Sequence, residues 1–117
     1  MDGDIRLRVV FFKTGSDTEP VRDWLRSLEK EDRKIIGEDI KTIQFGWPLG
    51  MPLVRKMDTG LWEVRSRLPN RIARVIFTVQ QDIMILLHGF IKKSQKTPTP
   101  DLNAAKKRLM QFKEHEK

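Results

Sequence analysis

From position 5 to position 12 the chain alternates. Ile5, Leu7, Val9 and Phe11 fall on one side of an extended backbone, and Arg6 and Arg8 fall on the other. Val10 and Phe12 make the second side partly apolar, so a helix is expected to cover its later half. Lys13 to Thr18 is a polar loop. Asp17 or Thr18 can cap a helix starting near Glu19-Pro20, where proline suits the first turn. Val21, Trp24, Leu25 and Leu28 give that helix an apolar stripe. A second helix is expected from about Glu31 to Phe45, with Ile36, Ile40 and Ile43 on one face and Ile35 widening it. Gly46 and Pro48 end it. The two helices are expected as a hairpin packed on one side of a sheet. Trp24 then belongs to the core rather than to a ligand platform.

The second half reads as strands. Gly50 to Met57 is a loop leading into a short or edge strand, and Asp58-Thr59-Gly60 is a turn. Leu61 to Leu68 and Ile72 to Val79, separated by Pro69-Asn70-Arg71, fit an antiparallel hairpin. Gln80-Gln81-Asp82 makes the next turn. Ile83 to Ile91 is so continuously apolar that it is placed in the centre of the sheet. Thr97-Pro98-Thr99-Pro100 breaks the chain before a last helix, Asp101 to about Lys113, whose stripe is Leu102, Ala105, Leu109 and Phe112. The expected fold is a compact α+β domain spanning residues 1–117, with two helices in the N-terminal region, a twisted, mainly antiparallel sheet and a C-terminal helix.

Composition adds a partner class. The chain has 117 residues, 23 Lys plus Arg against 16 Asp plus Glu, and a formal charge of +7. Such a surplus suits nucleic acid, an anionic membrane or an acidic protein. There is no cysteine, which excludes disulfides, thiol nucleophiles and cysteine metal sites. The two histidines, His88 and His115, lie on different elements and no metal-ligand spacing occurs, so neither metal nor cofactor is expected. No apolar run approaches the roughly 20 residues that span a bilayer. Met1-Asp2-Gly3-Asp4 does not resemble a secretory signal, and a cytoplasmic protein without membrane attachment is expected. No P-loop, dinucleotide fingerprint, hydrolase elbow or paired-carboxylate site is present.

The chemistry gathers on the strands. Arg65 and Arg67 are two apart and share a face with Glu63. Arg74 stands among Ile72, Val75, Ile76 and Phe77, where a guanidinium either grips phosphate or pairs with a carboxylate such as Glu63. Arg55 and Lys56 precede the turn and are further phosphate-binding candidates. The apolar run ends in His88, Phe90, Lys92, Lys93, Gln95, Lys96 and Thr97. His88 is the titratable group nearest neutrality, or else a satisfied sheet imidazole. Phe90 either stacks on a base or packs in the core. Lys92 and Lys93 leave a regular strand on opposite sides, and either is eligible for proton transfer if its surroundings lower its pKa. Gln95, Lys96 and Thr97 are placed to contact RNA or to shape the loop. Ribonucleic acid needs no metal for cleavage: the 2′-hydroxyl attacks the adjacent phosphorus while cations stabilise the phosphoryl oxygens.

Leu61-Trp62-Glu63-Val64-Arg65, Arg74-Val75-Ile76-Phe77 and Leu86-Leu87-His88-Gly89-Phe90-Ile91-Lys92-Lys93-Ser94-Gln95-Lys96-Thr97-Pro98 together resemble the RelE/HigB toxin superfamily, particularly its phage-derived HigB-like branch. The likeness covers nearly the whole chain in element order. It implies the toxin of a type II toxin–antitoxin pair that cleaves messenger RNA in the ribosomal A site without a metal. It also implies a separate helix-turn-helix antitoxin, with operator DNA contacted through the complex. By motif, Arg65 takes the place of the family arginine on the third sheet strand and Arg74 that of the basic residue before the Val-hydrophobic-aromatic run. Lys92 and Lys93 take the basic end of the final strand, and His88, Phe90 and Gln95 fall within the branch's characteristic segment. One departure stands out: the chain has no tyrosine, so the tyrosine-dependent mechanism of some relatives is excluded. His88 or a lysine must substitute, or nuclease activity is weak or lost. Noncatalytic binding of RNA or the ribosome, or of an acidic protein partner, is the competing expectation.

Overall fold

A computed structural model describes residues 6–92 and 97–115, without the Lys92 side chain. The elements follow as β1 (Arg8–Phe11), α1 (Pro20–Arg26), α2 (Lys30–Gly46), β2 (Val54–Asp58), β3 (Leu61–Leu68), β4 (Arg71–Gln80), β5 (Ile83–Lys92) and α3 (Thr99–His115). The strands form one sheet in the order β1-β5-β4-β3-β2. Three neighbouring pairs are antiparallel and β1 lies parallel to β5, so the expected α+β architecture is realised with a mixed sheet.

Period-two alternation gives the sheet two apolar faces. Val64, Val75, Phe77, Met84 and Leu86 pack against Val21 of α1 and Ile36, Ile40 and Ile43 of α2. Leu61, Ile76, Ile85 and Leu87 pack on the other face against Ala105 and Leu109 of α3. The β3–β4 turn closes through Asn70 at φ 63°, a left-handed conformation that asparagine tolerates better than bulkier residues. Trp24 lies in the core as expected, and it dictates Gly89. A Cβ at Gly89 would stand 2.3 Å from Trp24 Cε3, so α1 can approach β5 this closely only over a glycine.

Several boundaries move. The first strand is limited to Arg8–Phe11, with Leu7 and Phe12 buried beside it, and Ile5 lies outside the described residues. Helix α3 begins at Thr99 rather than Asp101, because Pro100 occupies the first turn, where a missing N–H costs nothing. Strand β5 is an interior strand, yet β4 holds the middle position, because the parallel pairing with β1 puts β5 one place to the side.

An irregularity in register changes which side chains meet α3. Ile76 pairs with His88 while Phe77 pairs with Leu86, so Leu87 is an extra residue, as at a β-bulge. Leu87 and His88 consequently both meet the α3 side, where strict alternation would have separated them.

Candidate nucleic-acid interface

The face of the sheet turned toward α3 carries its chemistry in three cross-strand rows. Arg55, Glu63, Ile76 and His88 form the first, Arg65, Arg74 and Phe90 the second, and Arg67, Ile72 and Lys92 the third. Glu63, Arg65 and Arg67 share this face because they are two apart on β3, as the alternation indicated. Arg74 is brought opposite Arg65 by the β3–β4 register.

Depth divides these residues. The side chains of Glu63 and Arg74 are both 0% exposed. Arg65 is half-buried, whereas Arg55 and Arg67 are exposed. Along β3 the face thus rises from a buried carboxylate through a half-buried arginine to an exposed one at the hairpin tip.

Arg74 sits in a small buried polar network. Its Nη1 is 3.8 Å from Glu63 Oε1 and donates to Thr97 Oγ1 at 3.4 Å. The Thr97 hydroxyl donates to Glu63 Oε2 at 2.7 Å. Burial pushes the Arg74 guanidinium below its ordinary pKa, Glu63 opposes that shift, and Arg65 and Arg55 add to it. An arginine nonetheless stays charged at any working pH. Arg74 therefore fits the structural alternative raised from the sequence, a buried pair with Glu63, and it underlies the surface instead of lining it. Arg55, Arg65 and Arg74 outnumber the single carboxylate among them, which leaves the face cationic.

His88 is held from both sides by α3. Its Nε2 is 2.7 Å from Asp101 Oδ1, and its Nδ1 is 3.1 Å from Arg108 Nη1. A guanidinium only donates, so Nδ1 accepts, and Nε2–H donates to Asp101. Arg108 also donates to the Leu87 carbonyl at 2.8 Å, and its own pKa is lowered by burial. The satisfied-imidazole reading of His88 is the one this geometry supports. Phe90 is buried in the α3-side cluster, with its ring 5.7 Å from that of His88, so it packs and offers no open stacking surface.

Two neighbours in sequence part company. Arg55 pairs in register with Glu63 on the cationic face. Lys56 pairs with Trp62, lies 5.2 Å from its ring centroid, and belongs to the opposite face, where Trp62 meets Trp47 and Phe77. The backbone of Lys92 completes the third row, and its side chain is not described; Lys93, Gln95 and Lys96 lie outside the described residues.

Sequence reasoning left Asp101 and Arg108 without roles and Thr97 with only a loose one. The signal for Arg108 was its position three residues after Ala105, beside the α3 stripe. Nothing in the sequence set Thr97 against Glu63. Among the described residues, no three His, Asp or Glu side chains converge as a metal site, and no helix is long and apolar enough to cross a membrane.

Residues 23–110 match the family described as phage-derived protein Gp49-like (DUF891). No curated protein matches the chain.

Proposed function

This chain belongs to the phage-derived Gp49-like family, a RelE/HigB-type family associated with toxin–antitoxin toxins, and from that premise we propose that it is a messenger-RNA endoribonuclease acting on the translating ribosome. The observation that carries the reading is the half-buried Arg65 set across the ladder from the buried Arg74 and two residues from Glu63 on the same face, with Arg55 alongside. A preorganised cation on a rigid sheet is what a phosphodiester needs when charge builds on its oxygens.

In the proposed reaction the 2′-oxygen bonds to the adjacent phosphorus and the bond to the 5′-oxygen breaks. The 2′-proton is lost to a base, and the departing 5′-oxygen gains a proton. The products are a 2′,3′-cyclic phosphate and a 5′-hydroxyl end. Arg65 stabilises the phosphoryl oxygens, and the buried Arg74 across the ladder adds to the positive field there. Arg55 and Arg67 hold flanking RNA, and Lys92 and Lys93 are the candidates for proton transfer. No step calls for a metal. His88 serves to position α3, because both of its ring nitrogens are engaged.

A cognate antitoxin of the helix-turn-helix kind, expected for the HigB-like branch, neutralises the protein by covering the cationic face or blocking entry to the ribosome. Operator DNA is reached through that complex. The whole chain acts as one domain in the cytoplasm.

A second reading, noncatalytic binding to RNA or the ribosome, is favoured by the engaged His88 and by the absence of tyrosine. Tightly controlled expression followed by mapping of new mRNA 5′ ends, with and without an initiation inhibitor that clears ribosomes from messages, separates the readings. In-frame ends that vanish with the inhibitor support the nuclease. Folded protein with no new ends supports binding alone, and ends that persist indicate a ribosome-independent RNase.

A further inference from the structure

The tip of the β3–β4 hairpin holds a concavity of about 310 Å³ lined by Arg67, Leu68, Asn70, Arg71 and Ile72. It adjoins the cationic face but contains neither Arg65 nor Arg74. Two of its lining residues are held in place. Asn70 holds the turn in its left-handed conformation, and Arg71 is bridged to the buried Asp32 of α2. Arg67 is exposed and shares its face with Arg65. Residues two apart on a strand are separated by about 6.7 Å, close to the spacing of successive phosphates in an extended single strand.

We propose that this concavity is a subsite for the nucleotide adjoining the one held at Arg65, with Arg67 binding its phosphate. The ligand is single-stranded RNA laid along β3 toward the hairpin tip. The inference rests on Arg65 as a phosphate ligand. It adds a register of one nucleotide per two strand residues, and a direction along the sheet. Arg71 is anchored to Asp32 through Nη2, so the phosphate contact is assigned to Arg67.

The test is binding of an uncleavable, fully 2′-O-methylated single-stranded oligoribonucleotide, followed by fluorescence anisotropy across a salt series. The proteins are the wild type, Arg65→Ala, Arg67→Ala, the two combined, and Lys41→Ala on exposed α2 across the sheet. Arg67→Ala should weaken binding about tenfold at low salt. Its log–log salt slope should shrink by about 0.7, one phosphate contact for a single strand. The double variant should lose about twice that slope, and Lys41→Ala should match the wild type. Binding by the wild type that Arg65→Ala weakens and Arg67→Ala leaves unchanged overturns the subsite alone. Equal losses from Lys41→Ala and Arg67→Ala overturn it too, since the attraction would then be diffuse. No binding by the wild type overturns this inference, while the ribosome-dependent reading stands or falls separately on the mapped mRNA ends. Matching thermal unfolding of Arg67→Ala and Arg67→Gln guards against a folding artefact.

Discussion

Arg65 and Arg74 face one another directly across the β3–β4 ladder. Like charges at opposed positions destabilise a sheet, and here one of the two is fully buried beside Glu63. Removing Arg74 should therefore act first on the fold. Arg74→Ala leaves Glu63 buried without its cation and should cost on the order of 3 kcal/mol, less if the network relaxes. Adding Glu63→Gln to Arg74→Ala should recover part of that loss. Urea unfolding of the four proteins of the cycle measures it; an Arg74→Ala protein as stable as the wild type would contradict the buried pairing.

Gly89→Ala should destabilise by about 1–3 kcal/mol through overpacking. Its new methyl enters the space of the Trp24 ring. Trp24→Leu in the same chain should cost less than the sum of the two single changes, because it removes the clash. Additive losses would mean that α1 does not rest on Gly89.

His88→Ala should cost about 1 kcal/mol, since Asp101 and Arg108 each lose a half-buried partner. Amide hydrogen exchange should show α3 loosening before β4. His88→Gln offers an oxygen to Arg108 and an amide to Asp101, so it should keep more stability and more RNA-cleaving activity than His88→Ala. Equal, complete loss of activity in both variants, with α3 intact, would return His88 to a direct chemical role.

Asp58 tethers the β2–β3 turn to α3. Its Oδ2 lies 2.9 Å from Lys106 Nζ, and its Oδ1 accepts from the Thr59 N–H at 2.7 Å. The hydrogen bond from Lys106, then that of Thr59, then the Lys106 charge hold its carboxyl below the usual range. A lowered folded pKa means the contribution is present above the unfolded value near 3.9 and is lost as pH falls through the folded one. Asp58→Asn should thus lower stability slightly at pH 7 and flatten the acid limb below about pH 4. The two proteins should converge at the lowest pH, and a constant difference across the titration would exclude this linkage.

The alternation of Glu63, Arg65 and Arg67, the Asn70 turn and the α2 stripe were legible because each is local, with a period of two or 3.6 residues. The depth of the arginines was not. Arg74 and Arg65 look alike in sequence, and only the position of Thr97 beside Glu63 and the full register bury one of them. The faces of Arg55 and Lys56 depended on which partner each meets across β3. The extra residue at Leu87 shifted His88 to the α3 side, and no pattern in an uninterrupted apolar run announces such a shift. Site chemistry on this sheet was thus readable as a set of residue types, while accessibility depended on contacts far apart in the chain.

Arg65 is the proposed accessible cation of an RNA-cleaving site, with the buried Arg74–Glu63 pair beside it. The most direct measurement is cleavage of a labelled message on programmed ribosomes with a codon in a tRNA-free A site, comparing the wild type and Arg65→Ala at equal, verified folding. The wild type should cleave to leave 5′-hydroxyl ends, and Arg65→Ala should lose on the order of a hundredfold or more. Undiminished cleavage by a folded Arg65→Ala protein would contradict that role for Arg65.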